Sequence, residues 1–299
     1  MQLPLDYASV VRMAISIGFL GCLFPAGTAT AEAQRVFVLA GQSNALGRGD
    51  SIDLVAPYDS PQTDVQIWNG SGWSNLAPGT GVGSDHGPEL SLGRSLADHY
   101  GETIYLVKRA EGASSLAANP SRPDKSWDPD SGSLYGDLAT QVSSALTNLG
   151  PAASVDGFFW MQGEADSKSE ADADAYLANF EAFIEKTRTD FGNSEMQVVL
   201  GRVNGTLYPS ATHGNKYAFV ETVRTAQEMA ATTIASSTWV DTDSFELNDD
   251  ELHFSSTGQI DLGNAMAQKY LATVPEPATN LLFLLGLGGL ALRRSRCGR

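Results

Sequence analysis

Short apolar runs alternate along this chain with longer amphipathic segments, and this alternation constrains the fold more than any other feature of the sequence. The apolar runs predict strands, at 35–40, 65–68, 103–107, 155–161, 196–200 and 238–240. The amphipathic segments predict helices, at 87–100, 134–149, 169–191, 217–232 and 256–271. Helices that connect successive strands form crossover units. We therefore expect the α/β class, with one three-layer α/β/α sandwich built on a mainly parallel sheet.

The first predicted strand, 35–40, is an almost continuous apolar run, which is typical of a strand covered on both faces. In open sheets of this kind, ligands bind beyond the carboxyl ends of the strands. Four segments that follow predicted strands carry polar residues, at 41–44, 109–112, 162–164 and 250–253. We expect these four segments to converge on one edge of the sheet.

The first 33 residues have the order of a secretory signal peptide. Arg12 precedes an apolar run at 13–24, and small residues lead to Ala31, Glu32 and Ala33, an A-x-A cleavage pattern. A membrane anchor is the alternative, but the run is well short of the roughly 20 apolar residues that a spanning helix needs. We expect residues 1–33 to be removed.

The C-terminal residues 274–299 contain the sequence VPEP, an apolar stretch at 281–292 and a basic end with Arg293, Arg294, Arg296 and Arg299. This order resembles the bacterial PEP-CTERM sorting tail, which is held at the inner membrane and removed during export. The resemblance implies partners in the export and sorting machinery and a transient membrane association through the tail. It also implies a secreted, cell-surface or periplasmic protein of a Gram-negative-type bacterium. An untargeted tail is the alternative.

The remaining segment, 34–273, is expected to form one domain. The chain has 19 basic and 35 acidic residues, and the two ends contribute more basic than acidic ones, so this segment is strongly acidic. Nucleic-acid binding is excluded, because it depends on basic residues that neutralise phosphates. Cys22 and Cys297 both lie in the ends. The domain therefore has no disulfide, thiol nucleophile or thiolate metal site.

A serine hydrolase needs a nucleophile at a tight turn, an imidazole base, a carboxylate that orients the imidazole and donors for the oxyanion. Ser43 follows the first predicted strand, and His253 stands three residues after Asp250 in the loop before the last helix. Taken alone, Ser43 also fits the role of a turn serine or a helix-capping serine. A D-x-x-H spacing alone also fits an ordinary surface aspartate and histidine. Asp241 and Asp243 are alternative orienting acids.

The other polar residues are assigned structural roles. His86, His99 and His213 are interpreted as surface or packing residues, since no carboxylate is placed beside them on a strand-end loop. The acidic run 166–174 is expected to be a solvated helix start, where carboxylates suit the helix dipole. Neither His253 nor this run has the spacing of metal ligands.

Four blocks of sequence together resemble a known family. GQSNALG, KRAEGASSL, WMQGEAD and DELHFSSTGQ match in order the blocks of the sialate O-acetylesterase and acetylxylan esterase-like branch of the SGNH hydrolases. The resemblance covers about 35–271, nearly the whole expected domain. It implies a flavodoxin-like SGNH hydrolase fold.

The resemblance implies Ser43 as nucleophile, His253 as base and then acid, and Asp250 as its orienting carboxylate. The oxyanion donors it implies are the backbone amides of Ser43 and Gly112 and the side-chain amide of Gln162. The residues expected to hold the turn or bind substrate are Gln42, Asn44 and Glu164, the last with a buried structural role as its alternative. No cofactor is implied.

The chain departs from the family pattern at Glu111, where two successive glycines are common. A carboxylate beside Gly112 disfavours a developing oxyanion unless it points away. Trp127 and Tyr135 stand where relatives carry aromatic residues, and they are expected either to stack on a sugar or to close the core.

These features predict a secreted carbohydrate O-acetylesterase that removes acetyl esters, from sialate or an acetylated polysaccharide, through an acyl-enzyme. Two alternatives stay open. One is a non-catalytic surface module that binds exopolysaccharide, and the other is a general short-chain acyl esterase or lipase.

Overall fold

The computed structural model describes residues 34–81 and 83–274. Seven strands form one sheet, β1 to β7 in chain order: Gln34–Gly41, Gln62–Trp68, Trp73–Leu76, Ile104–Ala110, Ala153–Met161, Gln197–Gly201 and Ser237–Val240. Six α-helices accompany them, α1 to α6: Ser43–Leu46, Glu89–Tyr100, Ser133–Leu149, Glu170–Phe191, Val220–Thr233 and Ser256–Leu271. The expected signal peptide lies outside the described residues, as does almost all of the C-terminal tail.

The sheet has the order β3-β2-β4-β1-β5-β6-β7. All neighbouring strands are parallel except the edge pair β2 and β3. Strand β1 lies at the centre, between β4 and β5, so the segment that follows it emerges in the middle of the carboxyl edge. The predicted three-layer α/β/α fold with a mainly parallel sheet is confirmed.

Both faces of β1 are buried, as its apolar sequence predicted. Val36 and Val38 belong to a core that also holds buried residues of α3, α4 and α5. Phe37 and Leu39 belong to a second core on the opposite face, shared with α2 and α6. Because side chains alternate along a strand, one continuous apolar run supplies both cores.

The sequence patterns missed two elements. Strand β3 has only four residues, two of them polar and exposed, so it has no apolar run to detect. It pairs antiparallel with β2 after a turn at 69–72, and the rings of Trp68 and Trp73 meet edge to face with centroids 5.2 Å apart. Helix α1 has four residues and is too short to show helical periodicity.

Among the described residues, no helix combines the length and the apolar character required to cross a bilayer.

Gly41, at the end of β1, is required by close packing. Its φ is +142°, a backbone conformation that residues other than glycine rarely adopt. A Cβ atom built on Gly41 would lie 2.0 Å from the carbonyl oxygen of Met161 on β5. The next amide, that of Gln42, donates a hydrogen bond of 2.9 Å to the same oxygen. The chain therefore leaves the sheet after Gly41 in direct contact with the backbone of β5.

We predict that Gly41→Ala lowers the free energy of unfolding by about 3 kcal/mol or more, because the methyl group meets backbone and the φ becomes strained. Gly136→Ala is the matched control. Gly136 lies within α3 with no atom within 4 Å of a Cβ built on it, so the same change there should stabilise by about 0.5–1 kcal/mol. Urea unfolding of both variants measures the difference, and equal stabilities would refute the argument.

Candidate active site

The loops after the parallel strands meet at one cavity of about 470 Å³. Its lining includes residues from all four of the segments singled out in the sequence: Gln42, Ser43, Glu111, Gly112, Glu164 and His253. The loop before α5 adds Lys216 and Tyr217, which the sequence patterns did not assign to the site. Such convergence follows from the parallel sheet, which puts these strand ends on a single edge.

Ser43, His253 and Asp250 form a chain of hydrogen bonds. The Nδ1 atom of His253 lies 2.5 Å from Oδ2 of Asp250, and its Nε2 atom lies 2.9 Å from Oγ of Ser43. An ionised carboxylate only accepts, so Nδ1 carries the proton and Nε2 is left to accept from the Ser43 hydroxyl. Residues 210 positions apart in sequence are thus in the arrangement of a serine nucleophile, its base and an orienting acid.

The carboxylate of Asp250 is held by backbone as well as by the imidazole. Its Oδ1 atom accepts from the amides of Leu252, at 3.0 Å, and His253, at 2.9 Å. Partial burial opposes ionisation of Asp250, but these hydrogen bonds outweigh it and keep its pKa below the usual value. Asp250 is therefore an anion at neutral pH with a fixed direction toward the ring.

The two alternative acids are occupied elsewhere. Asp241 accepts a hydrogen bond of 2.7 Å from Arg202. Asp243 binds both nitrogen ends of the Arg224 guanidinium, at 2.7 and 2.8 Å. Of the three candidate acids, Asp250 is the one that contacts His253.

Asn44 ties the nucleophile turn to the histidine loop. Its side-chain nitrogen donates to Oε1 of Glu164, at 2.7 Å, and to the carbonyl oxygen of Leu252, at 3.1 Å. Its side-chain oxygen accepts from the amide of Phe254, at 3.0 Å. Leu252 and Phe254 flank His253, so the Asn44 side chain is hydrogen-bonded to the backbone on both sides of the histidine.

Gly112 is placed beside the nucleophile. A Cβ built on it would lie 4.0 Å from the Cβ of Ser43, with no nearer contact. The neighbouring Glu111 carboxylate is paired with the Lys125 ammonium, and Arg109 lies 3.5 Å from its other oxygen. These cations offset the negative charge of Glu111, which would otherwise disfavour an oxyanion beside Gly112.

Gln162 is fully buried and does not line the cavity. Its side-chain nitrogen lies 3.0 Å from the carbonyl oxygen of Ser114, 2.5 Å from Oδ2 of Asp166 and 3.3 Å from Oε1 of Gln42. An amide nitrogen has two hydrogens, and both are engaged by these internal acceptors. The structure thus does not bring this amide together with Ser43 and Gly112 as an exposed donor.

The expectation of a solvated acidic run is wrong for its first member. Asp166 is fully buried, and its carboxylate accepts from the amides of Leu116 and Ala117 as well as from Gln162. Burial raises its pKa to about 6, although these hydrogen bonds act in the opposite direction. No spacing signal distinguished Asp166 from the exposed or half-buried acids that follow it. Its contacts with residues 116 and 117 are tertiary.

Glu164 lines the cavity but is only 2% exposed. Its Oε1 atom accepts from Asn44, whereas its Oε2 atom is buried with no hydrogen-bond partner among the described residues. Burial raises the pKa of Glu164 to about 6, despite hydrogen bonds that favour the anion. Glu164 therefore belongs to a buried network at the wall of the cavity, and substrate binding by it stays a prediction.

Two aromatic candidates belong to the core. Trp127 is fully buried and donates from Nε1 to Oγ of Ser114, at 2.8 Å. Tyr135 is nearly buried, and its hydroxyl contacts Asp190 at 2.6 Å. The aromatic ring that does line the cavity is that of Tyr217. His86 is a packing residue, fully buried with its Nε2 atom 2.9 Å from Oγ of Ser256.

Two segments of the sequence match known protein families. Residues 33–272 match the family described as "Carbohydrate esterase, sialic acid-specific acetylesterase". Residues 273–296 match the PEP-CTERM protein-sorting motif. Among curated proteins, a probable carbohydrate esterase from Arabidopsis thaliana is 23% identical over 259 residues, covering 80% of this chain and 90% of that protein.

Solved structures share the fold at low identity. The X-ray structure of a protein from Arabidopsis thaliana has a TM-score of 0.66 at 21% identity and covers 81% of this chain and 99% of its own. NanS has a TM-score of 0.62 at 17% identity, over 80% of this chain and 97% of its own. A carbohydrate acetylesterase from Xanthomonas citri has a TM-score of 0.56 at 17% identity, over 78% and 54%. These likenesses confirm the α/β sandwich fold.

Glu164 generates a prediction on stability against pH. Its pKa of about 6 in the folded protein exceeds that of an exposed glutamate, so the folded state holds the proton more tightly. Its contribution to stability is complete below about pH 4, and it is lost as the pH rises through about 6. Relative to Glu164→Gln, the wild-type protein should lose about 2 kcal/mol of unfolding free energy between pH 4 and pH 7.

Urea unfolding at a series of pH values measures this difference, which is independent of the baseline stability of the glutamine variant. Glu170→Gln, at an exposed residue in the first turn of α4, is the control and should run parallel to the wild type. Parallel curves for Glu164→Gln as well would contradict the prediction.

Proposed function

This chain belongs to the sialic acid-specific acetylesterase family of carbohydrate esterases, and on that premise we propose that it removes acetyl groups from sugar hydroxyls by way of an acyl-enzyme on Ser43. It is a carboxylic ester hydrolase. The observation that carries the proposed mechanism is the continuous set of contacts from Asp250 through His253 to Ser43.

In the first half of the reaction, Nε2 of His253 takes the hydroxyl proton of Ser43 as the oxygen attacks the acetyl carbonyl carbon. The bond between that carbon and the sugar oxygen then breaks, and the imidazolium returns the proton to the leaving sugar hydroxyl. Asp250 remains ionised and stabilises the transient imidazolium. In the second half, His253 takes a proton from water, the hydroxide attacks the acetyl-serine, and acetate leaves as Ser43 regains its proton.

The oxyanion that forms at the carbonyl needs donors already in place. We assign this role to the backbone amides of Ser43 and Gly112, supported by the close approach of these two residues. The part we assign to Gln162 is to hold the loop below them, since its amide hydrogens are engaged by Ser114 and Asp166. Gln42 supports the same turn through its contact with the amide of Ala165, at 3.2 Å.

The C-terminal PEP-CTERM motif bears on where the reaction takes place. Such a motif indicates export to the cell envelope or surface of a bacterium. Together with the expected signal peptide at 1–33, it supports the proposal that the esterase acts outside the cytoplasm, on acetylated glycans of the envelope or the surroundings.

Replacement of the nucleophile is the first test. Ser43→Ala should reduce acetate release from acetylated oligosaccharides by about 10,000-fold or more, because the acyl-enzyme cannot form. Ser60→Ala, at an exposed serine whose hydroxyl bonds only to neighbouring Asp59 among the described residues, is the control and should keep full activity. An active Ser43→Ala enzyme would remove Ser43 from the mechanism and favour a different hydrolytic centre. Absence of all esterase activity in the wild type would favour the binding module.

Replacement of the orienting acid is the second test. Asp250→Asn should lower kcat by about 10,000-fold, because an asparagine no longer fixes the imidazole with Nε2 free to accept. Asp241→Asn should keep near-normal turnover, since Asp241 binds Arg202 instead. The opposite ranking of the two aspartates would refute our assignment.

Comparison of kcat for 4-nitrophenyl acetate and 4-nitrophenyl octanoate in the wild type separates an acetylesterase from a general esterase or lipase.

A further inference from the structure

A buried ion pair lies behind the short helix that carries the candidate nucleophile. The ammonium nitrogen of Lys108, on β4, lies 2.6 Å from Oε2 of Glu89, the first residue of α2. The side chain of Lys108 is 6% exposed, that of Glu89 is 0% exposed, and neither residue lines the cavity beside Ser43. The pair therefore borders the site from the inside and has no contact with the space that a substrate would occupy.

All the hydrogens of the Lys108 ammonium group have acceptors. Besides Glu89, the nitrogen donates to the carbonyl oxygen of Leu46, at 2.6 Å, and to that of Thr80, at 3.1 Å. An ammonium group has three hydrogens, so these three acceptors account for all of them. Leu46 is the last residue of α1, and Ser43 is the first. The cation thus holds one end of a helical turn whose other end carries the nucleophile.

The Glu89 carboxylate has a partner on each oxygen. Its Oε2 atom accepts from Lys108, and its Oε1 atom accepts from the amide of Gly87, at 2.9 Å, and from the hydroxyl of Thr80. Burial opposes ionisation of Glu89, but the charge of Lys108 and these hydrogen bonds outweigh it and keep its pKa below the usual value. Glu89 is therefore an anion at neutral pH that holds Lys108 in one direction.

The same pair supports the segment against which the end of α1 packs. Gly47 follows α1 with a φ of +106°, and a Cβ built on it would lie 2.5 Å from the carbonyl oxygen of His86. Glu89 fixes that segment through the amide of Gly87, while Lys108 fixes the last carbonyl of the helix directly. A turn of four residues is not stable by itself, so its position depends on such contacts.

Stability alone does not account for an ion pair in this place. The cost of removing two charges from water is about as large as their attraction, and apolar residues of similar size often replace a buried pair without loss of stability. Apolar side chains at Lys108 and Glu89 would fill the same space but would leave the Leu46 carbonyl without this donor. What the ion pair adds is a fixed direction for that hydrogen bond.

We propose that Lys108, held in place by Glu89, is a positioning residue for the reaction: it fixes the last carbonyl of α1 and thereby the place of the Ser43 hydroxyl relative to His253. This inference rests on the proposed function, because it concerns the reactivity of Ser43. A reacting group displaced by about 1 Å loses about 100-fold in rate. The pair therefore acts on the rate of attack and leaves substrate binding unchanged.

The test removes the cation with and without its partner. Lys108→Met leaves the charge of Glu89 unpaired in the core, so it should lower both the rate and the urea concentration at half unfolding. The double variant Lys108→Met, Glu89→Leu has no buried charge left, so its urea midpoint should recover. Its rate should stay low, because the Leu46 carbonyl still lacks its donor. If Lys108→Met does not fold, the double variant provides the comparison with the wild type.

Two rates are measured well below the unfolding transition. The first is hydrolysis of 4-nitrophenyl acetate, as kcat and KM. The second is the reaction of Ser43 with diethyl 4-nitrophenyl phosphate, in which Oγ bonds to phosphorus and one 4-nitrophenolate leaves per competent chain. We expect both rates to fall about 100-fold in the single and the double variant, with KM changed less than about threefold.

Arg35→Met is the control. Arg35 pairs with Glu102 and Asp156 at the start of β1, at the edge of the sheet opposite the cavity. Its loss should lower the urea midpoint and leave both rates unchanged. This variant therefore shows what a loss of stability alone does to the reaction.

Recovery of the rate together with the urea midpoint in the double variant would overturn the positioning role. A loss of rate in Arg35→Met as large as that in the Lys108 variants would overturn it as well. Failure of the proposed function is a separate result, recognised when Ser43→Ala still hydrolyses 4-nitrophenyl acetate or when the wild type does not react with the phosphate.

Discussion

A single side-chain amide joins the two parts of the chain that must meet at this site. Asn44 follows Ser43, and its three hydrogen bonds end on Glu164 and on the backbone of Leu252 and Phe254. The latter two residues flank His253, so this amide fixes the backbone that carries the imidazole relative to the hydroxyl, while Asp250 directs the ring itself. The hydrogen bond of 2.9 Å between Oγ of Ser43 and Nε2 of His253 forms because the hydrogen bonds of Asn44 hold the backbone segments that carry both residues.

The buried carboxylates below the cavity are stabilised to different degrees. Asp166 has hydrogen-bond donors from Leu116, Ala117 and Gln162, which compensate much of the cost of removing its charge from water. It thereby ties the loop after β4 to the loop after β5. Glu164 has only Asn44 on one oxygen and leaves the other without a partner at the cavity wall. A polar group kept in that condition is typical of a functional position, because folding alone gives no benefit from it.

Charge adds a second level of organisation to the same edge of the sheet. Glu111 places a negative charge beside Gly112, and the structure balances it with Lys125 and Arg109. Arg48, Lys168 and Lys216 also line the cavity, and none of the three has an ion pair within 4.0 Å among the described residues.

The sequence by itself determined the layer order of the fold, because period-2 and period-3.6 apolar patterns are local and directly specify strands and helices. It also located the segments that carry Ser43 and His253, since parallel strands place their carboxyl ends on one edge. It did not reveal β3, whose four residues contain no apolar run, nor the burial of Asp166, whose backbone donors are some 50 residues away. Tertiary structure alone decided that Gln162 faces inward and that Lys108 donates to the carbonyl oxygen of Leu46. Those facts depend on side-chain directions between distant segments, and no spacing along the chain encodes them.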